Sequence, residues 1–231
     1  MSSSPSPADL AIRPSLIART VGGFGTSILS GGALGAAAWL SDQLQWPYSL
    51  LIPANMIGIW LGVAYALGAS ARTIPTGALR GLIGLLTAVA VYYLLFATLG
   101  EGYRVTGAGH AATVWGLVAL LAGPVMGGAG AVWRHGSGRP RAVAVAVLAA
   151  ALIAEGVVFG VTRLIHVDQL GNDPAALLYG AEIVIGAILP AVLLRAGERA
   201  SGYAVTAGFA ILAAVAIGPV TSILRSLADR F

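Results

Sequence analysis

The sequence predicts an all-α fold: an integral-membrane bundle of seven transmembrane helices, N-terminus in and C-terminus out. Three observations predict it. Hydrophobic residues make up 58% of the chain and charged residues only 10%, far from the balance of a soluble domain. Seven apolar stretches, roughly 20–40, 48–70, 81–99, 111–133, 142–162, 175–194 and 203–224, each approach the length that crosses a bilayer. That length is about 20 residues for ~30 Å of hydrocarbon. Finally, nine arginines (13, 19, 72, 80, 134, 139, 141, 195 and 199) fall on one side of the alternating connections and four (104, 163, 225 and 230) on the other. The richer side is cytoplasmic by the positive-inside rule.

The chain divides into a polar N-terminal tail, 1–19, and a single seven-helix domain, 20–231. The opening "MSSSPSPAD" has the composition of a disordered segment. Arg13 and Arg19 precede a Gly-rich apolar run of full spanning length, which reads as a first helix rather than a cleaved signal peptide. The helices end where glycine, proline and charge collect: "SDQLQWP", "ARTIPTGALR", "EGYRVTGAGH", "RHGSGRPR", "RLIHVDQLGNDP" and "RAGERASG". These connections are too short to hold a soluble domain. The expected location is the cell membrane, multi-pass.

Composition also removes several chemistries. There is no cysteine, so disulfides, thiolate metal sites and cysteine nucleophiles are excluded. All thirteen basic residues are arginine, and without lysine a retinal Schiff base cannot form on a seven-helix frame. The basic excess would suggest nucleic acid in a soluble protein, but here it lies in loops and orients the chain, so no nucleic-acid partner is expected. His110, His135 and His166 fall in loops without helix-spaced ligand partners; no metal and no cofactor are expected.

Two acids belong to neither surface. Helix five runs outward and helix six returns, which puts Glu155 and Glu182 at one depth, roughly 10 Å below the outer boundary at 1.5 Å per residue. The short loop between the helices makes them neighbours. With no arginine at that level, at least one of the two is expected as a neutral acid. Asn55, Tyr92, Tyr93 and Trp115 reach the same layer from helices two, three and four, and Phe159 and Tyr179 share helix faces with the glutamates. The group reads as a pocket lining: Glu155 and Glu182 as acids, the other six as substrate-binding residues. Trp39, Trp46, Tyr48 and Tyr203, nearer the membrane ends, read as interfacial anchors. Pro53, Pro124, Pro190 and Pro219 lie where prolines kink helices and open cavities.

A protonated acid in an aromatic, water-poor chamber suits protonation of an alkene or epoxide in a prenyl chain, followed by ring closure through carbocations. Each aromatic face stabilises such a cation by ~0.5–2 kcal/mol without trapping it. In its short chain of seven spans, its embedded acids and its lack of a soluble domain, the sequence resembles the small integral-membrane terpene cyclases of meroterpenoid and indole-terpenoid pathways, including the bacterial drimentine type. The resemblance implies a hydrophobic prenylated substrate, an upstream prenyltransferase as a pathway partner, and Glu155 or Glu182 as proton source. The chain departs from the fungal members, in which one acid is expected in the N-terminal third and another near the last helix. Here the first region offers Asn55 or Asp42, and helix seven has no buried acid. The Asp-rich motif of soluble terpene synthases is also missing, since "GNDPAA" is no substitute, so magnesium-dependent diphosphate ionisation is not expected. The alternative is a proton-coupled small-molecule transporter in which the same glutamates bind and release protons.

Overall fold

The structure, a computed structural model, describes residues 14–44, 52–99, 108–166 and 174–228. Among the described residues it is all-helical: α1 (Pro14–Gln43), a single 3-10 turn (Ile52–Asn55), α2 (Ile57–Ala69), α3 (Ile74–Leu99), α4 (Ala108–His135), α5 (Gly138–His166), α6 (Pro174–Leu193) and α7 (Ala196–Ala228). Four segments are long and apolar enough to cross a membrane: Ile74–Leu99, Gly109–His135, Gly138–Gly160 and Ala196–Ala216. They mark a membrane protein. Ile57–Ala69 and Leu177–Leu193 are apolar but shorter.

Two boundaries differ from the sequence expectation. Residues 14–19, assigned to the polar tail, belong to α1, which opens on Pro14; proline suits a first helical position because the amide it lacks would have no intrahelical partner there. The expected span 48–70 is broken. Its helical part, α2, has 13 residues, about 20 Å of rise, and Met56 in extended geometry (φ −80°, ψ 132°) separates it from the 3-10 turn. Pro53 removes a donor from that turn, and the Met56 amide bonds back only to the Pro53 carbonyl, at 3.0 Å. Trp46 and Tyr48 lie outside the described residues.

Two groups of helices make up the bundle. α3 packs between α1 and α4 with α2 laid across α3 and α4, while α5 packs between α6 and α7; α2 and α4 join the groups through α5. α5 is the most enclosed. Its run of small residues, with Ala142, Val145, Ala146 and Ala149 fully buried, lets neighbours approach on several sides. The core between the groups is Ala64, Tyr65, Leu85, Val89, Ala119, Met126 and Leu148. The α2–α3–α4 seam is closer still: a β-carbon on Gly68 would fall on the Gly127 backbone, and one on Gly127 on the Gly77 carbonyl.

The arginine-rich end is tied down by polar contacts. Glu198 accepts hydrogen bonds from Gly138 N (2.7 Å) and Arg195 N (3.2 Å), capping α7 and joining it to the start of α5. Gly138 itself sits at φ +60°, a turn conformation glycine enters without steric cost. The free carbonyls at the end of α6 are taken up by side chains: Leu193 O by Arg141 (3.1 Å) and Trp133 (3.3 Å), and Leu194 O by Arg199 (3.3 Å).

Candidate functional site

The polar and aromatic residues singled out from the sequence divide between two places, one on either side of the start of α2. The first is a cavity of about 280 Å³ enclosed by the end of α1, the 3-10 turn, α2, α3 and α4. Four of the predicted residues, Asn55, Tyr92, Tyr93 and Trp115, line it. Asp42 and Trp60 join them, with Ile57, Leu61, Leu85 and Val89 among the apolar walls.

Among the described residues Asp42 is the only acid in that lining. It stands in the last turn of α1, where the helix dipole disfavours a negative charge, so helix stability does not account for it. Its oxygens are held by neighbours. Asn55 Nδ2 donates to Oδ1 at 2.6 Å, and the Tyr92 hydroxyl donates to Oδ2. Tyr92 is positioned in turn by ring packing, edge-on to Tyr93 (4.8 Å, 78°) and stacked near Phe96 (6.2 Å, 18°). Trp60 presents its ring to the cavity while its Nε1 donates to Ala54 O at 2.6 Å, bracing the 3-10 turn. The result is a carboxyl group with one hydrogen bond on each oxygen, amid four aromatic rings, in an otherwise apolar recess. Each oxygen keeps a lone pair for a ligand.

The second place is the seam of α5, α6 and the start of α2. Glu155 and Glu182, each 5% exposed, come together there as their matched depth predicts, but they do not line the cavity. Glu155 accepts hydrogen bonds from Ile57 N (2.8 Å) and Gly58 N, and so serves as the cap that Met56 cannot provide. A carboxylate at a helix N-terminus is also favoured by the dipole. Glu182 has no hydrogen-bond partner for either oxygen among the described residues. Its Oε1 stands against Gly58, too near for a β-carbon there, and the place that β-carbon would take is 3.3 Å from Glu155 Oε2. Phe159 and Tyr179 stack across the α5–α6 seam at 5.9 Å and 23°, apart from the cavity lining.

The expectation of one pocket holding all eight residues is therefore corrected. α2 stands between the glutamates and the rings, because Glu155 reaches its backbone from behind while Ile57, Trp60 and Leu61 face forward. Those three residues repeat at i, i+3 and i+4, the helical spacing of one face, and that signal marks Trp60 as a wall of the same site. Asp42 reads from the sequence as a helix-end acid near this layer, the next candidate after the glutamates, and it is Asp42 that lines the cavity. Among the described residues no group of His, Asp and Glu side chains converges as a metal ion would require. No curated protein and no solved structure matches the chain. Residues 14–226 match a family of unknown function, DUF6518, and the chain belongs to it.

Proposed function

We propose that the protein is a multi-pass membrane carrier for a small organic cation with an apolar body, bound in the cavity between α1 and α4. The observation that carries this reading is Asp42, set among Trp60, Tyr92, Tyr93 and Trp115. Aromatic faces attract a cation by about 0.5–2 kcal/mol each, and a carboxylate supplies its counter-charge. The cavity volume, about 280 Å³, falls just below the ~300–1,000 Å³ common for drug-sized ligands and suits a smaller one. The broken second span favours transport. Carriers place binding sites where membrane helices are interrupted, since such segments can rearrange around a ligand.

The test is binding of choline by the purified protein, followed by uptake into proteoliposomes. Choline should bind at least tenfold more tightly than its neutral isostere 3,3-dimethylbutanol, and equal affinities would remove the cation site. Tyr92→Phe keeps the ring but deletes the hydroxyl that holds Asp42. It should weaken choline binding about tenfold, the usual scale of a hydrogen bond to a charged group. Calorimetric titration measures both.

Terpene cyclisation is the second reading, favoured by the same four rings, which would stabilise a carbocation as well as an ammonium ion. Under it Asp42, rather than the glutamates, faces the substrate. Membranes incubated with a prenylated acceptor would then yield a cyclised isomer of unchanged mass, carrying deuterium after reaction in heavy water.

Both readings use seven spans with the N-terminus in the cytoplasm, as the nine-to-four arginine split favours. A reporter fused after Arg141 should be cytoplasmic and one fused after Phe231 external. Both on one side would remove the seven-span count.

A further inference from the structure

Four residues connect the two places. In the segment Asn55–Gly58 the Asn55 side chain holds Asp42 on the cavity side, while the Ile57 and Gly58 amides hold Glu155 on the other. Beyond Glu155 lies Glu182, buried, without a hydrogen-bond partner among the described residues, and aimed at the same helix start. Gly58 leaves room for that approach, since a β-carbon there would press on both Glu182 Oε1 and Leu152 Cδ2. A carboxyl group that is buried and unpartnered has a high cost as a bare ion, and a proton or a set of donors removes that cost. The amides that Glu155 already uses, at Ile57 and Gly58, stand beside it.

We propose that Glu182 is a proton-binding site, and that its proton decides which glutamate holds the start of α2 and thereby how the cavity presents Asp42 to a cation. With the proton on Glu182, Glu155 caps α2 as described. When that proton leaves, two carboxylates compete for the Ile57 and Gly58 amides. The pair settles by shifting the helix start towards Glu182, and the shift passes through Met56 to Asn55 and Asp42. One proton is exchanged per cycle and no bond other than O–H is made or broken.

Among the described residues, few titratable groups face this site. Glu155 faces it from α5, and Tyr179 lies one turn away on α6. The described charges of α5, α6 and α7 that have partners, Arg141, Arg199 and Glu198, bond at the opposite end of the helices. From α2 only backbone amides reach the pair.

Two measurements test the proposal, and only the second rests on the cavity being a cation site. Difference infrared spectroscopy between acidic and basic pH, in light and heavy water, should show a protonated carboxyl band in the wild type that is lost in Glu182→Gln. A band that survives unchanged in Glu182→Gln, or none in the wild type, overturns the proton site. Choline affinity should then change with pH in the wild type, by up to about tenfold per unit for one exchanged proton, whereas Glu182→Gln should flatten that dependence. A Glu182→Gln protein that keeps the wild-type profile overturns the coupling. If neither protein binds choline while the infrared band behaves as expected, the proton site stands and the cation reading fails, so the two failures are distinguishable.

Discussion

Replacing Asp42 by asparagine should weaken choline binding by about 10²-fold while the protein folds and accumulates as before. The size follows from the setting. Bound choline would cover the otherwise exposed Asp42, and truncating one partner of such a covered charge pair costs about 2–5 kcal/mol. A hundredfold change corresponds to about 2.7 kcal/mol, near the low end because the cavity is open at its mouth. Folding should hardly suffer, because Asp42 is exposed and stands at a helix C-terminus, where its charge is unfavourable to the helix. Asparagine has nearly the same shape, and its carbonyl oxygen can still accept from Asn55 or Tyr92. The neutral isostere should bind both proteins alike, which separates loss of charge from distortion of the cavity. Equal choline affinity in calorimetric titrations of the two proteins would exclude Asp42 as the counter-charge.

Gly127→Val should destabilise the fold by about 3 kcal/mol or more. Overpacking commonly costs about 1–3 kcal/mol when side chains can yield. At Gly127 they cannot, because the atoms in the way are the Gly77 carbonyl group and Gly81 Cα, at 3.0 Å from the would-be β-carbon. Relief requires α3 and α4 to separate, and Leu85 and Val89 on one and Val118 and Ala119 on the other are cavity walls, so binding should fall as well. Gly62→Ala supplies the contrast. Nothing lies within 4 Å of a β-carbon there, and the gain in helix propensity should stabilise by up to about 1 kcal/mol. Thermal unfolding followed by tryptophan fluorescence in detergent compares the three proteins. A Gly127→Val protein as stable as the wild type would show that the seam is looser than the backbone contacts imply.

Much of this architecture is legible along the chain because helices in a membrane are written locally. Apolar runs of spanning length, interrupted by "RHGSGRPR" or "RAGERASG", locate α5, α6 and α7 without reference to anything distant. The depth of Glu155 and Glu182 is equally local, since depth is residue number times a fixed rise, and the two carboxyl groups do meet. The break in the second span is only half local. Pro53 marks it, but the helix resumes at Ile57 because a glutamate nearly a hundred positions away caps it there.

The sequence by itself determined that the chain is helical and apolar, where most of the described helices end, and the absence of cysteine and lysine chemistry. The tertiary structure alone decided which side chains face one another. A helix sets the height of a residue through its own rise, but the direction in which that residue points depends on how the helix is rotated against its neighbours. Here that rotation is imposed by backbone contacts at Gly68, Gly77 and Gly127 and by the hold of Glu155 on α2. Side chains expected at one level are thus divided into an acid pair behind α2 and an aromatic cavity in front of it, with Asp42 as the cavity's acid.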